Sequence, residues 1–163
     1  MGKCGNLGGK VGILQRPYFR GQSLNRLDAK GRLRIPTKFR DVLQKHYTDA
    51  LIVTVTDECL VAYPPEIWED IETKVQDFSL VQPDQRAFVR HFISSAEECK
   101  FDDQGRILLP PFLRKQAGLG QEVLLAGVLK SFEIWNKEAW DKHLEWNREH
   151  YQQIVEKVAL SGL

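Results

Sequence analysis

The apolar positions of this chain change rhythm several times between Phe19 and Val158, and each change predicts an element. Gln22 to Asp28 reads as a short strand and Arg32 to Ile35 as a second one, ended by Pro36. Between them Ala29, Lys30 and Gly31 predict a turn, with Gly31 free to take a positive φ. Thr37 to Lys45 reads as a short helix, and "ALIVTVT" from Ala50 is a β-branched run that suits a buried strand. An Asp-Glu turn and the strand "CLVAY" follow; Pro64 and Pro65 then open a helix with Ile67, Trp68, Ile71, Val75 and Phe78 on one face. "PDQRAFVRHFISSA", with Phe88 and Phe92 one turn apart, predicts a bridging helix. From Lys137 onward, Trp140, Leu144, Tyr151, Val155 and Val158 recur at helical spacing, which predicts a long amphipathic helix. Its apolar stripe either packs on its own domain or meets another subunit.

The pattern repeats. Asp28, Gly31, Arg32, Pro36 and Arg40 recur as Asp102, Gly105, Arg106, Pro110 and Arg114 at a constant offset of 74. Leu27, Leu33, Ile35 and Phe39 fall on Phe101, Ile107, Leu109 and Leu113, so the apolar positions recur with the polar ones. Beyond the motif the offset becomes 72, pairing Tyr63 with Trp135, Glu66 with Glu138 and Trp68 with Trp140. Two units of about fifty residues are too few for a solenoid and predict a pseudo-symmetric fold whose halves complete each other.

Charge sharpens the comparison of the copies. The net charge is only +1, yet seven of the eight charged residues from Phe19 to Arg40 are basic, Asp28 being the exception. In a strand after Gly31, Leu33 and Ile35 face a core while Arg32 and Arg34 share the opposite face. Lys30 in the turn and Arg26 in the preceding strand extend that face, which predicts a cationic two-stranded ribbon within the first copy. B-DNA's major groove admits such a ribbon, and arginine there bonds guanine O6 and N7. Lys38 and Arg20 are candidates for phosphate contacts, which set register and salt sensitivity. The second copy keeps Arg106 but carries Asp103, Gln104 and Leu108 where the first has Ala29, Lys30 and Arg34. The expectation is a division of labour, one ribbon for nucleic acid and the other mainly for fold or assembly. Asp28 and Asp102 are read as structural, capping turn N–H groups and orienting the arginine four residues on. Arg40 and Arg114 are read as structural too, bonding backbone or carboxylate of the other copy.

Other classes find little support. Cys4, Cys59 and Cys99 are odd in number and widely spaced, which reads as reduced thiols rather than a disulfide framework or zinc site. No apolar run approaches the roughly 18 residues of a membrane span. No HExxH, phosphate loop or GxSxG is present, and His46, His91, His143 and His150 lack metal-ligand spacing, so neither an enzyme nor a cofactor is expected. The first eighteen residues are glycine-rich, read as a flexible extension without secretory signal features; Asn6 stands where a myristoylation motif needs Ser or Thr.

Taken together, "FRGQSLNRLDAKGRLRIPTKFR" and "FDDQGRILLPPFLR" resemble the MraZ family of bacterial transcriptional regulators. The likeness runs from Phe19 through the second-copy tryptophans, and the chain departs from the family in the residues preceding its Phe-Arg-Gly start. The resemblance implies an α+β fold in which two SpoVT-AbrB-like units form a swapped-hairpin β-barrel with flanking helices. The corresponding domains are a flexible extension at 1–18, repeat 1 at 22–69, connecting helices at 70–97, repeat 2 at 98–141 and a C-terminal helix at 142–163. It further implies subunits closed into a homo-oligomeric ring, located in the cytoplasm at the nucleoid. The ring would bind double-stranded DNA at promoter direct repeats upstream of the division and cell wall gene cluster, including its own gene, and repress it. By that analogy Arg32 is the leading DNA contact with Lys30 beside it, and Arg106 is its second-copy counterpart, weakened by Asp103 and Gln104. The competing expectation is an antitoxin-like interaction module whose C-terminal helix captures a protein partner.

Overall fold

A computed structural model describes residues 17–162. The expectations for residues 1–16, Cys4 included, lie outside the described residues. Pro17 is packed: its carbonyl accepts the Tyr47 hydroxyl at 2.9 Å. In chain order the elements are β1 (Gln22–Arg26), β2 (Arg32–Arg34), α1 (Thr37–His46), β3 (Ala50–Val55), β4 (Leu60–Tyr63), α2 (Pro65–Val75) and α3 (Pro83–Phe88). There follow β5 (Glu97–Lys100), β6 (Arg106–Leu108), α4 (Pro111–Gln116), β7 (Glu122–Gly127), β8 (Phe132–Asn136) and α5 (Lys137–Ala159). The fold is α+β, as the family resemblance implies.

Six strands form one antiparallel sheet in the order β1-β7-β8-β4-β3-β5, and β2 pairs with β6 in a separate ribbon. Exchanging each strand for its copy reverses the six-strand order onto itself. A pseudo-two-fold axis therefore runs between β4 and β8 and through the ribbon, where Leu33 faces its own counterpart Ile107. The halves interlock rather than sit side by side: β1 of the first copy pairs with β7 of the second, and β5 of the second with β3 of the first. Single bridges, Leu27–Leu33 and Phe101–Ile107, join one sheet to the other.

This arrangement corrects the expected ribbon within the first copy. β1 meets β2 at only the Leu27–Leu33 bridge, and β2 takes its partner from the second copy. The pairing that forms is the one that places Leu33 against Ile107, both fully buried. Further bonds stitch each turn to the opposite copy: the Leu109 N–H donates to the Gly31 carbonyl at 2.9 Å, and the Ile35 N–H to the Gly105 carbonyl at 3.1 Å.

The main core lies between the ribbon, α1, α4 and the inner face of the sheet. Phe19, Phe39 and Phe132 meet there with ring centroids 4.9 to 5.6 Å apart. Alternation along β7 sends Val123 and Leu125 into this core and Leu124 and Ala126 into a second cluster on the outer face, where Trp135 packs beneath Trp140 of α5. On the first-copy side, Phe92 covers the equivalent pair Tyr63 and Trp68 at 6.2 and 5.5 Å. The predicted bridging helix is accordingly not uniform. It is α-helical only to Phe88 and then widens into a π turn over Val89–Ile93, in which the Phe92 carbonyl accepts the buried Thr54 hydroxyl. The π turn sets the Phe92 ring against Tyr63 and Trp68 and its carbonyl against Thr54.

Candidate nucleic-acid interface

β2 and β6 are each three residues long, short enough that a single alternation decides what the ribbon presents. Leu33 and Ile107 point inward, so their neighbours all point outward. Arg32 stands opposite Leu108, and Arg34 opposite Arg106. Three guanidinium groups and one leucine thus share a single outer face. Two are fixed from behind by identical turns. Asp28 Oδ2 accepts the Arg32 Nε at 2.6 Å while Oδ1 accepts the N–H groups of Lys30 and Arg32 at 3.0 and 2.8 Å. Asp102 does the same, accepting Arg106 Nε at 2.7 Å and the N–H groups of Gln104 and Arg106 at 2.9 and 3.0 Å. With Nε held by a carboxylate, the paired Nη groups of each arginine are the end left to face outward, the geometry that a bidentate acceptor requires. The Asp102 carboxyl is held down at about 2 by the Arg106 backbone N–H above all, with the guanidinium adding to it; Asp28 is lowered for the same first reason. Both carboxylates remain ionised at any physiological pH, so the arginine forks stay fixed.

The other basic candidates separate. Lys30 is exposed at the turn beside Arg32. Arg34 reaches across the ribbon, its Nη1 donating to the Gln104 carbonyl at 2.9 Å, which ties the first-copy strand to the second-copy turn. Arg26 is on β1 opposite Glu122 and donates to Gln121 Oε1 at 3.1 Å, in an open cavity also lined by Lys137 and Glu138; it does not join the ribbon. Lys38 donates to the Gln22 carbonyl at 2.9 Å, and Arg20 stacks over the Tyr18 ring at 5.2 Å; both are exposed near the chain entry. The expected division of labour between two ribbons does not apply, because one ribbon is built from both copies. Leu108, 57% exposed on its face, is the outer-face residue that sequence reasoning set aside. The offset of 74 carried the signal: a strand paired with its own copy about a two-fold puts Arg34 opposite Arg106 and Arg32 opposite Leu108.

A family model described as "MraZ protein, putative antitoxin-like" matches the chain twice, over residues 18–91 and 92–161. The curated relative "Transcriptional regulator MraZ" of Syntrophobacter fumaroxidans is 68% identical over 91% of this chain and 99% of its own. Proteins of the same name from Shewanella denitrificans and Desulforamulus reducens are each 41% identical, over 78% and 86% of this chain and 85% and 96% of their own. The chain belongs to the MraZ family. It is a transcriptional regulator, and the MraZ family is not one of enzymes.

MraZ membership gives the two turn glycines a context, and the structure gives their reason. Gly31 and Gly105 have φ of +85° and +74°. A Cβ on Gly31 would lie 2.6 Å from the Arg114 guanidinium carbon, and one on Gly105 would lie 2.5 Å from Arg40 Nη1. Each motif-end arginine of this MraZ chain therefore packs beneath the turn of the opposite copy. Their hydrogen bonds, by contrast, stay within their own copy: Arg114 Nε donates to the Leu109 carbonyl at 3.1 Å and Arg40 Nη2 to Asp49 Oδ2 at 3.3 Å. The expected bonds across the copies are replaced by van der Waals contact, and Arg40 also stacks over the second-copy Phe101 ring at 4.5 Å. Among the described residues Cys59 and Cys99 are free and buried, their thiols pushed up to about 12 by burial, which leaves them unreactive. No helix among them is long and apolar enough to cross a membrane.

Proposed function

We propose that this chain is a sequence-specific DNA-binding repressor that reads DNA with the β2–β6 ribbon. The observation that carries the reading is the outer face of that ribbon: Arg32, Arg34 and Arg106 together, two of them with forks held by Asp28 and Asp102. Arg32, with Lys30 beside it, is the leading base contact, Arg106 its counterpart across the pseudo-two-fold and Arg34 the third. Lys38 and Arg20 contact phosphate, and Arg26, away from the ribbon, serves the backbone at most. The interlocked pairs β1–β7 and β3–β5 support describing the repeats at 22–69 and 98–141 as a swapped-hairpin barrel of the SpoVT-AbrB type, with the two single bridges as its seams.

The sites are direct repeats upstream of the division and cell wall gene cluster, this protein's own gene included, which places it in the cytoplasm at the nucleoid. Family membership supports that assignment. A ring of identical subunits presents ribbons in one rotational sense, which matches direct repeats rather than palindromes. Contacts of modest individual strength then multiply along the DNA. A second reading, in which α5 captures a protein partner, draws on the "antitoxin-like" family description and on the exposed Tyr151, Val155 and Val158.

Fluorescence anisotropy on the protein's own upstream DNA across a salt series tests the ribbon. Wild type is expected to bind that DNA far more tightly than random sequence, and Arg32→Ala to lose the discrimination while the oligomer keeps its size. Removal of one bidentate guanine contact costs about 1–3 kcal/mol per ribbon. Moving the repeats apart by half a helical turn, about 5 bp, should weaken binding sharply. Equal affinity for upstream and random DNA would overturn the proposal.

A further inference from the structure

The ribbon's outer face is not symmetric. The pseudo-two-fold exchanges Arg32 with Arg106, but it exchanges Arg34 with Leu108. One end of the face therefore carries two guanidinium groups, Arg34 opposite Arg106, and the other a guanidinium beside an apolar side chain, Arg32 opposite Leu108. Leu108 is 57% exposed on a strand whose inward neighbours Ile107 and Leu109 are fully buried, so the core makes no use of it. It also lines a shallow cavity together with Pro110, Pro111 and the β5 residues Cys99 and Lys100.

A leucine in the major groove has nothing to donate or accept, and the apolar group that a base edge offers there is the thymine C5-methyl. Directly opposed side chains on a sheet face lie about 5 Å apart, and those two residues apart along a strand about 7 Å. With a rise of about 3.4 Å per base pair, Leu108 comes within one or two base pairs of the base that Arg32 meets. We infer that Leu108 is a specificity-determining residue that reads a thymine methyl beside the guanine read by Arg32. The inference rests on the DNA-reading ribbon proposed above. It adds to the difference between the Lys30 and Gln104 turns in giving each ribbon a direction along the DNA, and a directed reader is what a direct repeat requires.

The test is a series of upstream duplexes in which each thymine of the repeat is replaced singly by deoxyuridine, removing the methyl and nothing else. Wild type is expected to lose about fourfold in affinity per repeat at one thymine, the worth of one buried methyl group. That thymine should lie within two base pairs of the guanine whose replacement Arg32→Ala no longer senses. Leu108→Ala should be indifferent to the deoxyuridine at that position, and Leu108→Arg, which restores the symmetric face, should prefer guanine there. If wild type discriminates upstream from random DNA but senses no methyl, or if Leu108→Ala loses the same factor on deoxyuridine as wild type, Leu108 reads no thymine. If Leu108→Ala instead changes the size of the oligomer and leaves methyl sensitivity intact, its apolar tip serves contact between copies. A wild type that does not discriminate upstream from random DNA brings down the ribbon reading itself, and this inference with it.

Discussion

At the scale of single residues, a glycine and an arginine from opposite copies form one contact, and neither is intelligible alone. Gly31 requires its lack of a Cβ twice over, once for φ of +85° and once because the Arg114 guanidinium fills the space. Gly31→Ala is expected to cost about 2–3 kcal/mol, summing the left-handed backbone penalty and the displaced Arg114 hydrogen bond. Gly118→Ala is the control. Its φ is +57° but nothing lies within 4 Å of an added Cβ, so the backbone penalty of about 1 kcal/mol stands alone. Urea unfolding of the two variants measures the difference, and equal costs would mean that Arg114 moves aside freely. The turn and the positive φ were legible in "AKG". The second reason for glycine was not, because Arg114 is brought to Gly31 by the fold and not by the local chain.

At the scale of elements, α5 is the part whose two ends differ. Asn136 caps it, accepting the N–H groups of Glu138 and Ala139 at 2.9 and 3.1 Å, and Trp140 and His143 pack on Trp135 at 5.5 and 5.1 Å. Further along, Tyr151, Val155 and Val158 are exposed on a stripe with no partner among the described residues. The periodicity from Lys137 predicted one continuous helix and a choice between packing at home and meeting another subunit. The structure divides the choice: the first turns pack at home, and the distal stripe does not. Hydrogen exchange on residues 148–158 checks what covers it. Protection matching that of 137–147 in the purified protein is expected if subunits meet there, and rapid exchange that slows only when a protein partner is added would favour the interaction-module reading. The π turn at Val89–Ile93 is the element that the pattern missed. Phe88 and Phe92 at one-turn spacing look the same in an α-helix and across a π turn, and the groups that Phe92 meets, Trp68 of α2, Tyr63 of β4 and Thr54 of β3, are distant in the chain.

At the scale of the whole molecule, the two copies are not independent domains, since β1, β2 and β5 all find their partners in the opposite copy. A chain ending at residue 91 contains β3 without β5 and β2 without β6, with Leu33 deprived of Ile107. Residues 17–91 and 92–162 produced separately are therefore expected to show no cooperative unfolding as monomers, and to recover it when mixed in equal amounts. A cooperative transition in either monomeric half would show that the repeats fold alone and that interlocking is secondary. The same topology places both motif arginines on one ribbon, so the candidate site needs both copies.

The sequence by itself determined which segments are strands and helices, the π turn excepted, because alternation, β-branched runs, proline and glycine act over a few residues. It also determined the two-fold repeat, because a constant offset needs no coordinates to be seen, and it offered Arg32, Lys30, Arg34, Arg26, Lys38, Arg20 and Arg106 as candidates. Pairing was left to the tertiary structure. A strand carries the same side chains whichever neighbour it takes, and the choice of β6 over β1 for β2 rests on burying Leu33 and Ile107 together, a contact between residues 74 apart. That choice moved Arg26 off the ribbon, brought Arg106 onto it, and set Leu108 opposite Arg32, where its exposure first becomes meaningful.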